Sequence, residues 1–422
     1  MTAATIAGMG RWRLFVILAG LYLAQSIPTY LIAAAVPPIM REAGVSRSMI
    51  GLISVLMLPL VLKFLWAPQV DRLRPIARAH RAGWVLITQC GIVAAIASLA
   101  LIEPSDAAAF LAIGFVMALF LSTQDIATDG YATRSLARRD RPIGNAIQGG
   151  AVAFGVVVGG TLSLIVYKHF GWQPMVLVIA AVSLVPLAAA FAMREGEDGP
   201  APGATVRPRP SLRAFLARPE ARSVLAIALV YRASEGFVKA MEGPYMVDRG
   251  VPLDVIGYLS GGSAATAGLV GSGLAAVLLL KMGQGRVLGL LGALRTVCFA
   301  LFALHAFDVV TGYWPLFGAA AFQTLIRYME IVALYSLFMA VASSDQPGTD
   351  FTVLACAQLI VYLVGSSLAG VLADWLGYGV LFALATAISA VAVIVAMPLV
   401  ARARAVSREP SAPPGSELLE TR

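Results

Sequence analysis

Pro38-Ile-Met-Arg-Glu-Ala-Gly-Val-Ser-Arg-Ser-Met-Ile-Gly-Leu-Ile-Ser54 is echoed further along the chain by Pro244-Tyr-Met-Val-Asp-Arg-Gly-Val-Pro-Leu-Asp-Val-Ile-Gly-Tyr-Leu-Ser260. The offset is a constant 206, and seven of the seventeen positions are identical: Pro, Met, Gly, Val, Ile, Gly and Ser. A match this short can arise by chance. Its placement argues for duplication, because each segment joins the first apolar run to the second in its own half of the chain.

Working outward, twelve apolar runs cover about 13–35, 49–66, 82–101, 108–130, 142–165, 173–193, 221–241, 255–279, 287–305, 313–338, 351–373 and 379–400. Most approach the ~20 residues that cross a hydrocarbon core as helix. The composition agrees: 59% of residues are hydrophobic and 13% charged, against about 25% charged in soluble domains. The first run follows Arg11 and Arg13, but it is too long for a signal peptide and lacks a small-x-small cleavage site. The expected fold is therefore an all-α membrane protein of twelve transmembrane helices in two pseudo-symmetric six-helix halves, with the lipid bilayer as its surroundings.

The net charge of +8 is a topological signal and not a nucleic-acid footprint. With both termini placed in the cytoplasm, 22 Lys and Arg fall on the inner side and 4 on the outer, the remaining 5 lying inside helices. That asymmetry sets the orientation by the positive-inside rule. The stretch after the sixth run contains Glu195-Gly-Glu-Asp-Gly-Pro-Ala-Pro-Gly and Arg207-Pro-Arg-Pro, a Pro/Gly-rich, charged composition that reads as a flexible linker. The expected divisions are an N-terminal bundle 1–193, a linker 194–220, a C-terminal bundle 221–400 and a disordered cytoplasmic tail 401–422. A monomer is expected.

Cys90, Cys298 and Cys356 sit in apolar runs with no metal-ligand spacing, and an odd count argues against a disulfide framework. No His-Glu-x-x-His, no Gly-x-Ser-x-Gly and no nucleophile–base pair is found. An enzyme is not expected, nor is a metal or a cofactor.

Ionisable groups inside a membrane are costly and mark function by default. The seventh run carries Arg232, Glu235, Lys239 and Glu242, spaced 3, 4 and 3, so one helical face alternates in sign. Lys239 and Glu242 are near the outer end and read equally well as solvated. The tenth run carries Gln323, Arg327 and Glu330 on one face. Arg327 is the leading anion binder, since guanidinium stays charged and offers forked donors. Glu235 and Glu330 are candidates to carry a coupled proton, though a Glu–Arg pair that only joins helices is the plainer alternative. Arg295 has no partner on its own helix. It must reach a carboxylate elsewhere or the substrate.

In the first half, Asp125 and Asp129 are i,i+4 on the fourth run, and Lys63 lies at similar depth near the end of the second. The three can form a gating ion pair at the inner mouth, with a proton site as the less favoured reading. Gln25 is a cavity donor or a helix–helix bond, and Pro28 beside it kinks the first helix.

Trp66-Ala-Pro-Gln-Val-Asp71-Arg72 resembles the signature loop of the major facilitator superfamily between its second and third helices. That resemblance implies a gating latch built on Asp71 and Arg72, and the dipole at the start of the eleventh helix suits Asp71. The equivalent loop Lys281-Met-Gly-Gln-Gly-Arg286 lacks the Asp. Lys63-Phe-Leu-Trp-Ala-Pro-x-x-Asp71-Arg72, Thr123-Gln-Asp-Ile-Ala-Thr-Asp-Gly-Tyr131 and Gly348-Thr-Asp-Phe-Thr352 together resemble one branch of that superfamily. It holds AmpG-type muropeptide permeases, acetyl-CoA transporters and RhtX/FptX-type siderophore importers. Gly348–Thr352 and Tyr22-Leu-Ala-Gln25-Ser-Ile-Pro28 look most like the siderophore importers. The resemblance implies proton-coupled import of a siderophore across the bacterial cytoplasmic membrane. A permease for muropeptides or another amphipathic organic anion is the alternative.

Overall fold

The computed structural model describes residues 10–46, 49, 52–76, 79–195, 209–343 and 345–406. Nine helices among them are long and apolar enough to cross a membrane. One of these, the run Pro347–Val406, is two helices, because Gly377 inside it has φ 77° and ψ 162°. Two further segments, 52–72 and 219–248, cross in pieces. The chain thus makes twelve passes: α1 (Arg11–Met40), α2 (52–72), α3 (His80–Leu101), α4 (Ala107–Ser135), α5 (Arg141–Phe170), α6 (Trp172–Ala192), α7 (219–248), α8 (253–282), α9 (Gln284–Ala306), α10 (Tyr313–Val341), α11 (347–376) and α12 (378–406).

The two broken passes have local causes. In α2, prolines start the short helices Leu58–Leu62 and Ala67–Arg72, and 3-10 turns join the pieces. Proline suits a helix's first turn and cannot continue one from before. In α7, helix Pro219–Val230 ends, residues 231–234 form turns, and Glu235–Asp248 resumes. Arg232 therefore lies outside regular helix, and the predicted single face from Arg232 to Glu242 is split by this break.

Both members of the echoed segment close their helices in the same way. Gly44 has φ +85° and Gly250 has φ +81°. The Val45 N–H donates to Met40 O at 3.0 Å, and the Val251 N–H donates to Met246 O at 3.0 Å. This is the six-to-one bond of a Schellman end, which needs a left-handed residue and so a glycine. A second pair keeps the same offset. Gly171 (φ +86°) separates α5 from α6, and Gly377 (φ +77°) separates α11 from α12.

The core shows how the halves meet. One apolar cluster packs residues of α1 with α4, α6 and nearby positions, such as Leu31, Phe110 and Ile179, wholly within the first half. Another, around Tyr245, Phe302 and Phe382, lies wholly within the second. At the opposite end of the bundle a single cluster takes in Leu18, Val70 and Leu136 together with Val224, Leu337 and Phe351. The halves are fused at the end that carries the arginine-rich loops and separate at the other. Small residues make that fusion close: a Cβ on Gly130 of α4 would stand 3.1 Å from the Cα of Gly348 at the start of α11.

The linker is structured at its far end. Residues 196–208 lie outside the described residues, but Ser211 caps the short helix Leu212–Ala217 by accepting from the Ala214 N–H at 3.1 Å. Phe215 of that helix is buried. The composition rule for linkers stops applying where Phe215 supplies an apolar anchor. Of the tail, residues 407–422 lie outside the described residues.

Candidate transport site

A cavity of about 410 Å3 lies where the halves face each other, and five of the candidate residues line it. Lys63 of α2 and Asp125 and Asp129 of α4 come from the first half. Arg232 of α7 and Arg327 of α10 come from the second. Lys63 forms an ion pair with Asp125. Asp129 is 2% exposed, and its Oδ1 has no hydrogen-bond partner.

Glu235 sits between two guanidiniums. Arg232 chelates it through Nε and one terminal nitrogen, and Arg327 Nε lies 2.7 Å from its Oε1. The Arg327 guanidinium also covers the Tyr362 ring of α11 at 5.3 Å. Close packing makes this possible. Gly236, next to Glu235, lies against the backbone of α11, where an added Cβ would be 2.7 Å from Ser366 N. The Ser366 hydroxyl donates to Gly236 O at 3.3 Å. No larger residue lets α7 approach α11 this closely.

Arg295 and Glu330 are not among the residues that line the cavity; of the two partners open to Arg295, a carboxylate elsewhere or the substrate, the structure provides the carboxylate. Arg295 is 2% exposed and Glu330 0%. Arg295 Nη1 donates to both Glu330 oxygens at 2.9 Å, Nη2 donates to Tyr231 O at 2.8 Å, and Nε donates to Ser389 at 3.2 Å. The Tyr231 hydroxyl lies 3.1 Å from Glu330 and donates to Leu288 O at 2.6 Å. Every nitrogen of the Arg295 guanidinium and both oxygens of Glu330 have a partner inside the second half, as a buried pair requires. Arg327 and Glu330, three apart on α10, therefore turn to different partners. Their spacing places them near one another but does not choose between neighbouring helices.

Gln25 and Gln323 are outside this cavity. Gln323 is 1% exposed with both amide atoms unpartnered, and the Gln25 side-chain nitrogen is likewise buried and unpartnered. Lys239 pairs with Glu242 at 3.1 Å, and Glu242 is buried, contrary to its reading as a solvated group.

Asp71 lies at the fused end. Its Oδ2 accepts from the Thr349 N–H at 2.6 Å and from the Thr349 hydroxyl at 2.8 Å. The first turn of α11 is thus capped from the other half. Arg72 is exposed and its side chain takes no part; Arg81 of α3 stands against Asp71 instead, at 3.2 Å. Asp350, one residue beyond Thr349, is 0% exposed and accepts from Arg218, from the Ser343 N–H at 2.8 Å and from Gln346 at 2.7 Å. Nothing local in the sequence marks Arg81 as the partner. Gln358 and Tyr362, which also line the cavity, carried a signal that went unused: they are i,i+4 in an apolar run.

Residues 14–241 match the family model described as Major Facilitator Superfamily. The anhydromuropeptide permease of Escherichia coli K12 is 28% identical over 371 residues, 83% of this chain and 72% of that protein. Among solved structures, a human organic anion transporter superposes with a TM-score of 0.70 at 15% identity, over 91% of this chain and 99% of its own. A bacterial homologue of the iron transporter ferroportin, in an outward-facing state, superposes with a TM-score of 0.70 at 16% identity, over 94% of this chain and 100% of its own. At these identities the two structures bear on fold alone.

Proposed function

The chain belongs to the Major Facilitator Superfamily, and from that premise we propose that this secondary transporter is a permease for muropeptide-like fragments of the cell wall, amphipathic molecules that carry carboxylates. The observation that carries this reading is the similarity to an anhydromuropeptide permease along 83% of the chain. It displaces the siderophore reading, which rests on a few short motifs.

The cavity suits such a cargo. Arg327 is the guanidinium of the site with exposed surface, 28% of its side chain, and is placed to meet a carboxylate. The amide oxygens of Gln148 and Gln358 are buried without a partner in the cavity wall. Such acceptors call for N–H and O–H donors, which peptide amides and sugar hydroxyls supply.

Charge counting favours coupling to a proton. Lys63, Arg232 and Arg327 balance Asp125, Asp129 and Glu235. An added substrate carboxylate leaves one excess negative charge, which a single proton cancels. Among the described residues Asp129 is the one of these three carboxylates that makes no salt bridge, so it takes the proton without breaking one. Placing the arginine-rich end in the cytoplasm makes the fused end the inner gate. The described state is then closed inside and ready to load from the periplasmic side of the inner membrane.

Uptake tests the reading. Cells with and without the gene are given labelled anhydromuropeptide or a labelled ferric siderophore. Gene-dependent uptake of the muropeptide alone is expected. Gene-dependent uptake of the chelate alone overturns the proposal.

A further inference from the structure

A second cavity, of about 490 Å3, lies at the arginine-rich end, away from the transport site. It opens where α5 meets α8 and α10, so its walls come from both halves. Arg138, Arg139 and Arg141 line one side, and Leu280, Ser336 and Leu337 line the other. Beside it, Asn145 of α5 donates to Ser336 of α10 at 3.2 Å, a bond that joins the halves.

The charge here is one-sided. Among the described residues Arg138 and Arg141 have no ion-pair partner, and the Nε of Arg141 is buried with no hydrogen bond. The adjacent carboxylate, Asp140, is engaged by Arg11 at 2.7 Å, and Arg139 approaches it only to 4.0 Å. The starts of α5 and α9 border the same space; the Asp140 side chain does not cap α5, and α9 begins at Gly283, which has no side chain to cap it. Their dipoles add to the positive field.

Depth separates polar from apolar. The arginines stand at and just before the first residue of a membrane pass, at the level of lipid headgroups. Leu280, 54% exposed, and Leu337 continue the cavity along the ends of α8 and α10. A free inorganic anion would use the guanidiniums and leave this apolar wall bare. A phospholipid uses both, its phosphate on the arginines and an acyl chain along the leucines. The uncompensated positive charge selects an anionic headgroup over a zwitterionic one, which brings its own cation.

We propose that this cavity binds an anionic phospholipid of the phosphatidylglycerol type, and that the lipid, held by both halves, keeps the arginine-rich end closed. When that end opens, α5 parts from α8 and α10 and the lipid loses one wall. It therefore binds the closed state more tightly and shifts the population toward it.

The test uses the full chain with Cys90→Ser, since Cys90 is exposed, and spin labels on Arg72→Cys and Lys281→Cys, exposed positions of opposite halves. Distance distributions are compared in vesicles of phosphatidylcholine alone and of phosphatidylcholine with one-third phosphatidylglycerol. Phosphatidylglycerol is expected to raise the closed-to-open ratio by about fivefold or more, the lower range of allosteric coupling. Arg138→Gln with Arg139→Gln, both exposed, is expected to remove most of that shift, and Arg141→Gln to do the same if it folds. An equal ratio in the two lipids overturns the proposal, as does an undiminished shift in the Arg138→Gln/Arg139→Gln variant. Inorganic phosphate added to the phosphatidylcholine vesicles should have no effect; if it reproduces the shift, the site is for a free anion and the lipid is wrong.

Discussion

Asp71 and Thr349 belong to opposite halves of the molecule, and one carboxylate oxygen of Asp71 takes both hydrogen bonds that Thr349 offers, from its N–H at 2.6 Å and its hydroxyl at 2.8 Å. The charge sits at the positive end of α11, so capping and dipole act together. In the proposed cycle, opening of the arginine-rich end would part these contacts. Asp71→Asn is expected to weaken the closed state by about 1–2 kcal/mol, a population shift of roughly 5–30-fold. Thr349→Val removes the hydroxyl contact and should move the same way by less. Distance measurements between labels on the two halves check both; an unchanged distribution in Asp71→Asn would mean the gate is held elsewhere.

Arg327 is shared between Glu235 and the Tyr362 ring. Arg327→Ala is expected to abolish uptake, at least about 100-fold, the scale of one lost charged and buried contact. Membrane abundance should stay near normal. Arg327→Lys should rescue little, because an ammonium lacks the planar fork and the stack on the ring. Uptake and quantitative immunoblotting on the same cells provide the check.

Arg295 and Glu330 should behave in the opposite way. Removing either partner strands a buried charge at a cost of about 3–5 kcal/mol. Arg295→Ala and Glu330→Gln are expected to lower abundance and the unfolding temperature in detergent. The double change Arg295→Met with Glu330→Leu should restore much of both, since it leaves no lone charge. If Glu330→Gln is stable yet fails only in transport, the pair is functional after all.

Asp129 carries the proton in the proposed cycle. Asp129→Asn should lose accumulation driven by a proton gradient while keeping substrate exchange between preloaded vesicles and medium. Loss of exchange as well as accumulation would place Asp129 in binding or folding instead.

Glycine tests the duplication. Gly44 has open space around its Cβ position but φ +85°, whereas Gly243 has equal space in a helix with ordinary φ. Gly44→Ala is expected to destabilise by about 1–2 kcal/mol, and Gly250→Ala similarly. Gly243→Ala should stabilise by up to about 1 kcal/mol. Thermal unfolding in detergent separates the signs.

The number of passes, the doubled architecture and the arginine-rich end were all legible in the order of residues. Hydrophobic length is a local property, and backbone groups in lipid have no partner except along their own helix. The helix ends at Gly44 and Gly250 lie beyond the apolar runs, which stop near 35 and 241, because hydrophobic length does not register the polar last turns of these helices. Even the broken pass at 231–234 follows one rule of local spacing and defeats another: Arg232 and Glu235 stay neighbours although the helix between them stops.

The choice of partners was decided by the tertiary structure. Arg295, Arg327 and Arg232 had Glu235 and Glu330 within reach on paper. Packing gave Glu330 to Arg295 inside the second half, and left Glu235 between Arg232 and Arg327 at the cavity. Asp71 found Arg81 and Thr349 while its neighbour Arg72 turned outward. Helical periodicity states which side chains share a face. It does not state which helix lies opposite, and in a low-dielectric interior the energy of each charge depends almost wholly on that neighbour.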